Sequence, residues 1–471
     1  MMRMLDRVLP AATLLVSLAL GAAQADACTT FQKVDGGTTL FCKSYDWGQG
    51  EGMVMVNKRG MEKKALLMDP ADVQAVWTSK YASISFNQYG REMPQGGMNE
   101  AGLGVEVMVL GQTEYPPQDE RPTVNELQRV QYCLDNSATI AGLSAGLPEI
   151  RPTKIQASLH YLACDATGAC AAIEYIDGEL ALTTGDDLVV NTLTNSTYAA
   201  SVEYLGQFVG FGGESPIPES AGSLDRFVRA SALALQEATL PEPDEVFGIL
   251  TSVSQGDYSK WNIVYDLTAG RMHWRTLTMP KIKWVDLAHF DLDCTSPVML
   301  LDIDADLTGD VADAFEPYTM EANKALLDKT LGGMPGVTEI IIQIVAGYPD
   351  TQTCTLEEVV PEPMPEAQEA DVISTEPDVV AEETVAEVLA PTPDVAAEAD
   401  EVPEIAAQDA TSAAVESEGK SGNGGCDAGG GAAPSTPLLL LVALALAALL
   451  VRGDRSRAEA GNGATPPWMR G

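Results

Sequence analysis

Ala25-Asp26-Ala27-Cys28-Thr29-Thr30-Phe31 is the stretch on which the reading of this chain turns, because a small-residue cleavage site runs directly into a cysteine. Ahead of it, Arg3 and Arg7 supply a basic start and Leu9 to Leu20 an apolar run relieved by Pro10, the pattern of a secretory signal over residues 1–27. Ala25 and Ala27 are the small residues that a signal peptidase pocket admits. Cleavage after Ala27 leaves Cys28 first, so that one residue carries a thiol and a free α-amine. A lipoprotein signal also ends before cysteine, but it calls for an aliphatic residue where Ala25 stands and a small one where Asp26 stands. Lipidation of Cys28 would block the amine and remove the chemistry that follows from it.

Such a residue is suited to amide hydrolysis. An α-amine titrates near ~8, close enough to ambient pH to take the thiol proton and return it later to a leaving amine. The thiolate would attack the carbonyl, and water would release the acid from the resulting thioester. The competing reading is a disulfide between Cys28 and Cys42 on an adjoining strand. From the cleavage site alone, both stay open.

Composition divides the 471 residues into one large domain and a non-globular tail. A formal charge of −40 excludes a general nucleic-acid binder, since phosphate would be repelled over most of the surface. From Leu356 to Gly425, nineteen acidic residues stand against one lysine, with repeated Pro and Ala and no aromatic side chain. Such a segment buries too little apolar area to order itself, and residues 356–425 are expected to form an extended stalk. Three histidines and no CxxC or HxxxH spacing argue against a metal site, and no cofactor is expected. Among the eight cysteines, Cys164 and Cys170 flank a short loop between two alternating runs, where a hairpin would set them opposite one another. Cys294 and Cys354 form a second candidate pair.

Residues 28–355 read as an α+β domain without internal repeats. Thr29 to Val34 and Thr38 to Tyr45 are strand-like around Asp35-Gly36-Gly37. Further alternating runs are Ile155 to Ala163, Ala171 to Ile176, Trp261 to Tyr265 and Met272 to Leu277. Thr123 and Glu126 fit a capping box before a helix carrying Leu127, Val130 and Leu134, and Ser223 fits the cap of a helix carrying Phe227, Ala230 and Leu233. Strands with helices between them predict stacked sheets covered by helices.

In the Phe41-Cys42-Lys43-Ser44-Tyr45-Asp46-Trp47 segment, a carboxylate is able to hold the α-ammonium and a cation to favour the thiolate. Taken alone, Lys43 and Asp46 read more readily as an ordinary surface pair. Cys28-Thr29-Thr30-Phe31, this segment, Gly97-Met98-Asn99-Glu100-Ala101-Gly102-Leu103, Leu193-Thr194-Asn195-Ser196 and Ser223-Leu224-Asp225-Arg226-Phe227 together resemble the choloylglycine hydrolase and penicillin V acylase family. The likeness runs over about residues 28 to 290. It implies an N-terminal-nucleophile linear amide hydrolase with an αββα four-layer sandwich, acting on a small N-acyl amide of bile-salt, penicillin V or acyl-homoserine lactone type. It also implies homo-oligomers. Residue by residue, it makes Cys28 the nucleophile, Asp46 the partner of its amine, Asn195 an oxyanion donor and Arg226 a second cation in the site.

Two departures stand out. Lys43 replaces the family's arginine, keeping the charge but losing the planar fork. Val109 stands where relatives carry an Asn or an aromatic residue, so it offers the oxyanion only a backbone N–H. A same-clan acyltransferase, with an amine resolving the thioester, and a non-catalytic surface module derived from the fold are the alternative readings.

Beyond the stalk, residues 426–457 hold Cys426 in a Gly-rich run, fourteen apolar residues from Leu438 to Val451, and Arg452, Arg455 and Arg457, before a tail at 458–471. This order resembles the myxobacterial-type C-terminal sorting tags of surface proteins. Fourteen helical residues span only ~21 Å, short of a bilayer core of ~30 Å. The expectation is export across the inner membrane and, with processing near Cys426, attachment at the cell surface or outer membrane through the stalk and its C-terminal tag; a periplasm-facing membrane anchor is the alternative.

Overall fold

The computed structural model describes residues 28–237 and 243–355. The signal segment, the acidic stalk, Cys426 and the apolar run with its arginines lie outside the described residues.

The strand Thr29–Asp35 turns at Gly36 and Gly37 into Thr38–Asp46. Both glycines have positive φ, 56° and 90°, as a two-residue turn that continues the strand twist requires. The register sets Thr29 opposite Ser44, Thr30 opposite Lys43 and Phe31 opposite Cys42. This hairpin lies inside a seven-stranded sheet, with Thr192–Leu193 beyond its first strand and Ser259–Asp266 beyond its second. A nine-stranded sheet holds Gly104–Val109 between Pro94–Asn99 and Leu159–Cys164.

The two sheets bury one apolar core between them. Phe41, Tyr45, Ile263, Tyr265 and Trp274 from the first meet Val54, Ile84, Phe86, Met98 and Leu162 from the second. Because side chains alternate along a strand, the opposite faces need cover of their own. Helix Gln128–Asn136 and helix Ile140–Gly146 bring Val130, Leu134, Ile140 and Leu143 onto Val105, Val107, Tyr161 and Ile173 of the second sheet. Helix Ser223–Ala234 and helix Asp244–Ser252 cover Phe31, Leu40, Cys42 and Val264 of the first. The result is four layers, helix, sheet, sheet and helix.

Both expected disulfides are present, Cys164–Cys170 directly opposite in register and Cys294–Cys354 joining segments sixty residues apart. Cys28 keeps a free thiol. It points between the sheets, whereas Cys42 sits on the helix-covered face, so the alternative pairing of these two is ruled out by strand alternation.

Two helix starts differ from expectation. Thr123 and Glu126 form no capping box: Thr123–Asn125 is a short strand, and Asn125 Oδ1 takes the Leu127 and Gln128 N–H groups. Glu126 instead accepts from the backbone of Ile155, Gln156 and Ala157, which also delays the next strand to Leu159. Ser223 is the first helical residue after Gly222, with its hydroxyl turned to the Thr194–Ser196 segment. Among the described residues no helix is long and apolar enough to cross a membrane.

Candidate active site

Cys28 immediately precedes the first strand and is only 3 % exposed. Its Sγ lies 3.9 Å from the Asp46 backbone oxygen. Burial pushes the thiol above its usual range; Lys43 and Arg226 pull it back, while the Asp46 charge adds to the rise.

Asp46 ends the partner strand, fully buried. Its Oδ1 accepts from Ser44 Oγ at 2.8 Å and Ser259 Oγ at 2.5 Å, and its Oδ2 from Gln255 Nε2 at 3.0 Å. Burial raises the carboxyl; the Ser259 bond, the Arg226 charge and the Gln255 and Ser44 bonds oppose it. Lys43 is equally buried, so the surface-pair reading of Lys43 and Asp46 is overturned. The carboxylate that Lys43 meets is Glu106, 3.4 Å away, and its ammonium also donates to the Val107 carbonyl and approaches Met108 Sδ at 3.4 Å.

Arg226 reaches from the helix layer into the strand ends. Its Nη1 donates to Cys28 O at 2.7 Å and Thr29 Oγ1 at 2.5 Å, its Nη2 to Asn195 Oδ1 at 3.0 Å, and its Nε to Ala221 O at 3.0 Å. Burial lowers its pKa, and the charges of Asp46 and Cys28 oppose that. With Oδ1 so occupied, Asn195 turns its amide nitrogen to Val109 O at 2.9 Å, and its backbone N–H bonds Ser223 Oγ at 3.0 Å. An amide nitrogen has two hydrogens, and this bond uses one.

Val109 closes the strand Gly104–Val109. Leu110 donates to Ser158 O at 3.0 Å, so antiparallel alternation turns the Val109 N–H to the opposite edge. Pairing on that edge runs only from Met98↔Gly104 to Gly96↔Glu106, leaving Val109 beyond it.

All six sequence-designated positions, Cys28, Lys43, Asp46, Asn195, Arg226 and Val109, therefore converge on one strand end. Three supporting side chains escaped the sequence reading: Glu106, Gln255 and His160. Buried His160 contacts Thr194 O at 2.7 Å through Nε2 and Glu174 Oε1 at 3.0 Å through Nδ1, pinning the turn that carries Asn195. No motif marks these positions: Glu106 and His160 each interrupt an otherwise apolar run in a strand, and Gln255 lies in the loop after helix Asp244–Ser252. Among the described residues no group of three or more His, Cys, Asp or Glu is placed to hold a metal ion.

Truncating Asn195 to alanine removes a donor and also leaves the Nη2 of a buried guanidinium without its acceptor. We expect turnover of an N-acyl amide to fall on the order of 10²-fold, with KM changed far less. Steady-state kinetics on purified protein check this; a loss confined to KM would move Asn195 from the reacting centre to binding.

Residues 28–300 match the sequence profile of the linear amide C-N hydrolases, choloylglycine hydrolase family, which is more than half the chain. A penicillin V acylase of Pectobacterium atrosepticum is 28 % identical over 322 residues, covering 58 % of this chain and 84 % of the relative. Among solved structures, a penicillin V acylase from Agrobacterium tumefaciens superposes with a TM-score of 0.56 at 26 % identity, covering 62 % of this chain and 98 % of its own. A conjugated bile acid hydrolase from Clostridium perfringens gives 0.50 at 18 % identity, with 60 % and 98 % covered, a likeness of fold alone.

Proposed function

The chain belongs to the choloylglycine hydrolase family of linear amide C-N hydrolases, and from that premise we propose that it cleaves an N-acyl amide through Cys28 as an N-terminal nucleophile. It is a hydrolase of carbon–nitrogen bonds other than peptide bonds. The observation that carries the mechanism is the enclosure of one free, buried thiol by Asp46, Lys43 and Arg226 at the start of a strand.

Removal of residues 1–27 exposes the Cys28 amine beside Asp46, whose carboxylate holds it once it is protonated. The amine takes the thiol proton, and sulfur attacks the acyl carbon. The carbonyl π electrons move to oxygen, and the charge is met by the second Asn195 amide hydrogen and the Val109 N–H. Collapse breaks the C–N bond as the ammonium returns its proton to the leaving amine. A water molecule, deprotonated by the same amine, then attacks the thioester, releasing the acid and restoring the thiol.

In this proposal the acyl group is apolar, a reading supported by the relatives named penicillin V acylase. Export and surface attachment through the C-terminal segment belong to the same proposal, supported by the residue pattern around Cys28 and Cys426.

Mass spectrometry of the purified active protein is expected to find Cys28 first, with an unmodified amine. Retained Ala27, or an acyl group on that amine, overturns the mechanism. A panel of penicillin V, bile-salt conjugates and acyl-homoserine lactones, run with and without added amines, identifies the substrate and separates hydrolysis from acyl transfer. Cys28 labelled stoichiometrically by a thiol-reactive N-acyl probe, without turnover of any amide, would favour a binding module.

A further inference from the structure

Between the two sheets, a carboxylate sits where apolar side chains dominate. Glu106 projects from the middle of Gly104–Val109 and is about 1 % exposed. Its Oε1 accepts from the Tyr265 hydroxyl at 2.6 Å, and its Oε2 lies 3.4 Å from Lys43 Nζ. Room for it comes from the facing strand, where its register partner is Gly96. A Cβ on Gly96 would stand 2.1 Å from Glu106 Oε1. Lys43, in turn, occupies the face of its strand that also carries Thr30, its cross-strand partner, and Cys28 two residues further on.

We propose that Glu106 is a positioning residue that acts on Cys28 through Lys43: its charge holds the ammonium against the Val107 carbonyl and offsets part of the field that Lys43 exerts on the sulfur. This rests on Cys28 being the reacting group. The ion pair makes the lysine and the glutamate one unit, in which the ammonium meets one carboxylate oxygen, one carbonyl and the Met108 sulfur, single-point contacts that do not call for the fork of an arginine.

The charged and titratable groups facing Glu106 are Lys43 and Tyr265; the flanking strands present Gly96 and Leu162. Burial raises its carboxyl to about 6, against the pull of Lys43 and the Tyr265 bond. As pH falls through that value Glu106 takes up a proton, and the Lys43 charge acts on Cys28 without its counterweight.

The test is the rate of Cys28 alkylation by iodoacetamide against pH on the mature protein, read by peptide mass spectrometry so that other thiols are counted separately. Glu106→Gln keeps the shape and loses the charge. It is expected to shift the Cys28 inflection downward and speed alkylation below it by ~10-fold. Glu106→Asp, which keeps the charge, is expected to restore the original profile. An unchanged profile in Glu106→Gln overturns the proposal, as does the same altered profile in Glu106→Asp, which would make volume the cause. Should Glu106→Gln fail to fold, Tyr265→Phe removes one donor to the carboxylate. Glu106 then protonates at higher pH, and the alkylation profile must show that upward displacement; its absence is the opposing result. Activity surviving in Cys28→Ala would remove the underlying mechanism itself, whereas a Cys28-dependent enzyme with an unmoved Glu106→Gln profile removes only this inference.

Discussion

Cys28→Ala is expected to abolish amide hydrolysis, by at least ~10⁴-fold, and to leave the fold standing. Among the described residues the reaction has no other thiol to turn to, since Cys42 lies on the far face of its strand and Cys133 on the helix that covers the second sheet. The backbone of residue 28 keeps its Arg226 bond to the carbonyl in the variant. What is lost is a single sulfur whose contact with the Asp46 backbone oxygen is a long one of 3.9 Å. A stability cost of about 1 kcal/mol is therefore expected. Circular dichroism and a melting curve test the fold, and turnover of any N-acyl amide that the parent protein hydrolyses tests the chemistry. Retained turnover would be decisive against Cys28.

Asp46→Asn is the more searching substitution, because size and most contacts survive. Asparagine still accepts from Ser44 and Ser259, but its amide nitrogen now faces the Gln255 amide, donor against donor, until Gln255 turns over. The negative charge that would hold an α-ammonium is gone. The amine then returns its proton less reliably to the leaving group, and kcat is expected to drop on the order of 10³-fold while KM moves little. A kcat within about fivefold of the parent would show that the carboxylate only ties strand ends together.

The parts of the fold that announced themselves in the sequence are those governed by local rules. Asp35-Gly36-Gly37 places the first turn, because few residues besides glycine tolerate two successive positive φ angles. Cys164 and Cys170 announce their hairpin by flanking a loop of the right length. Glu106 was invisible for a physical reason. In Gly-Val-Glu-Val-Met-Val an alternating strand puts its charged residue on the wet face, and that inference fails when both faces are covered. Thr123 and Glu126 misled through the opposite fault. Their spacing fits a local cap, but Glu126 gains three backbone donors from residues about thirty positions away, a long-range gain that outweighs the local motif. Motif order singled out the positions that the structure brings together, whereas their burial and their partnerships are properties of the stacked sheets.

The planar group of Arg226 bonds the carbonyl of Cys28 through one nitrogen and the amide of Asn195 through another. In the proposed mechanism, attack and charge collection are thus gauged from a single stiff datum rather than from two independent loops. Under the proposed mechanism, a shift of helix Ser223–Ala234 against the sheet would carry the Cys28 carbonyl and Asn195 together, conserving the spacing between nucleophile and oxyanion donor on which an aligned approach depends.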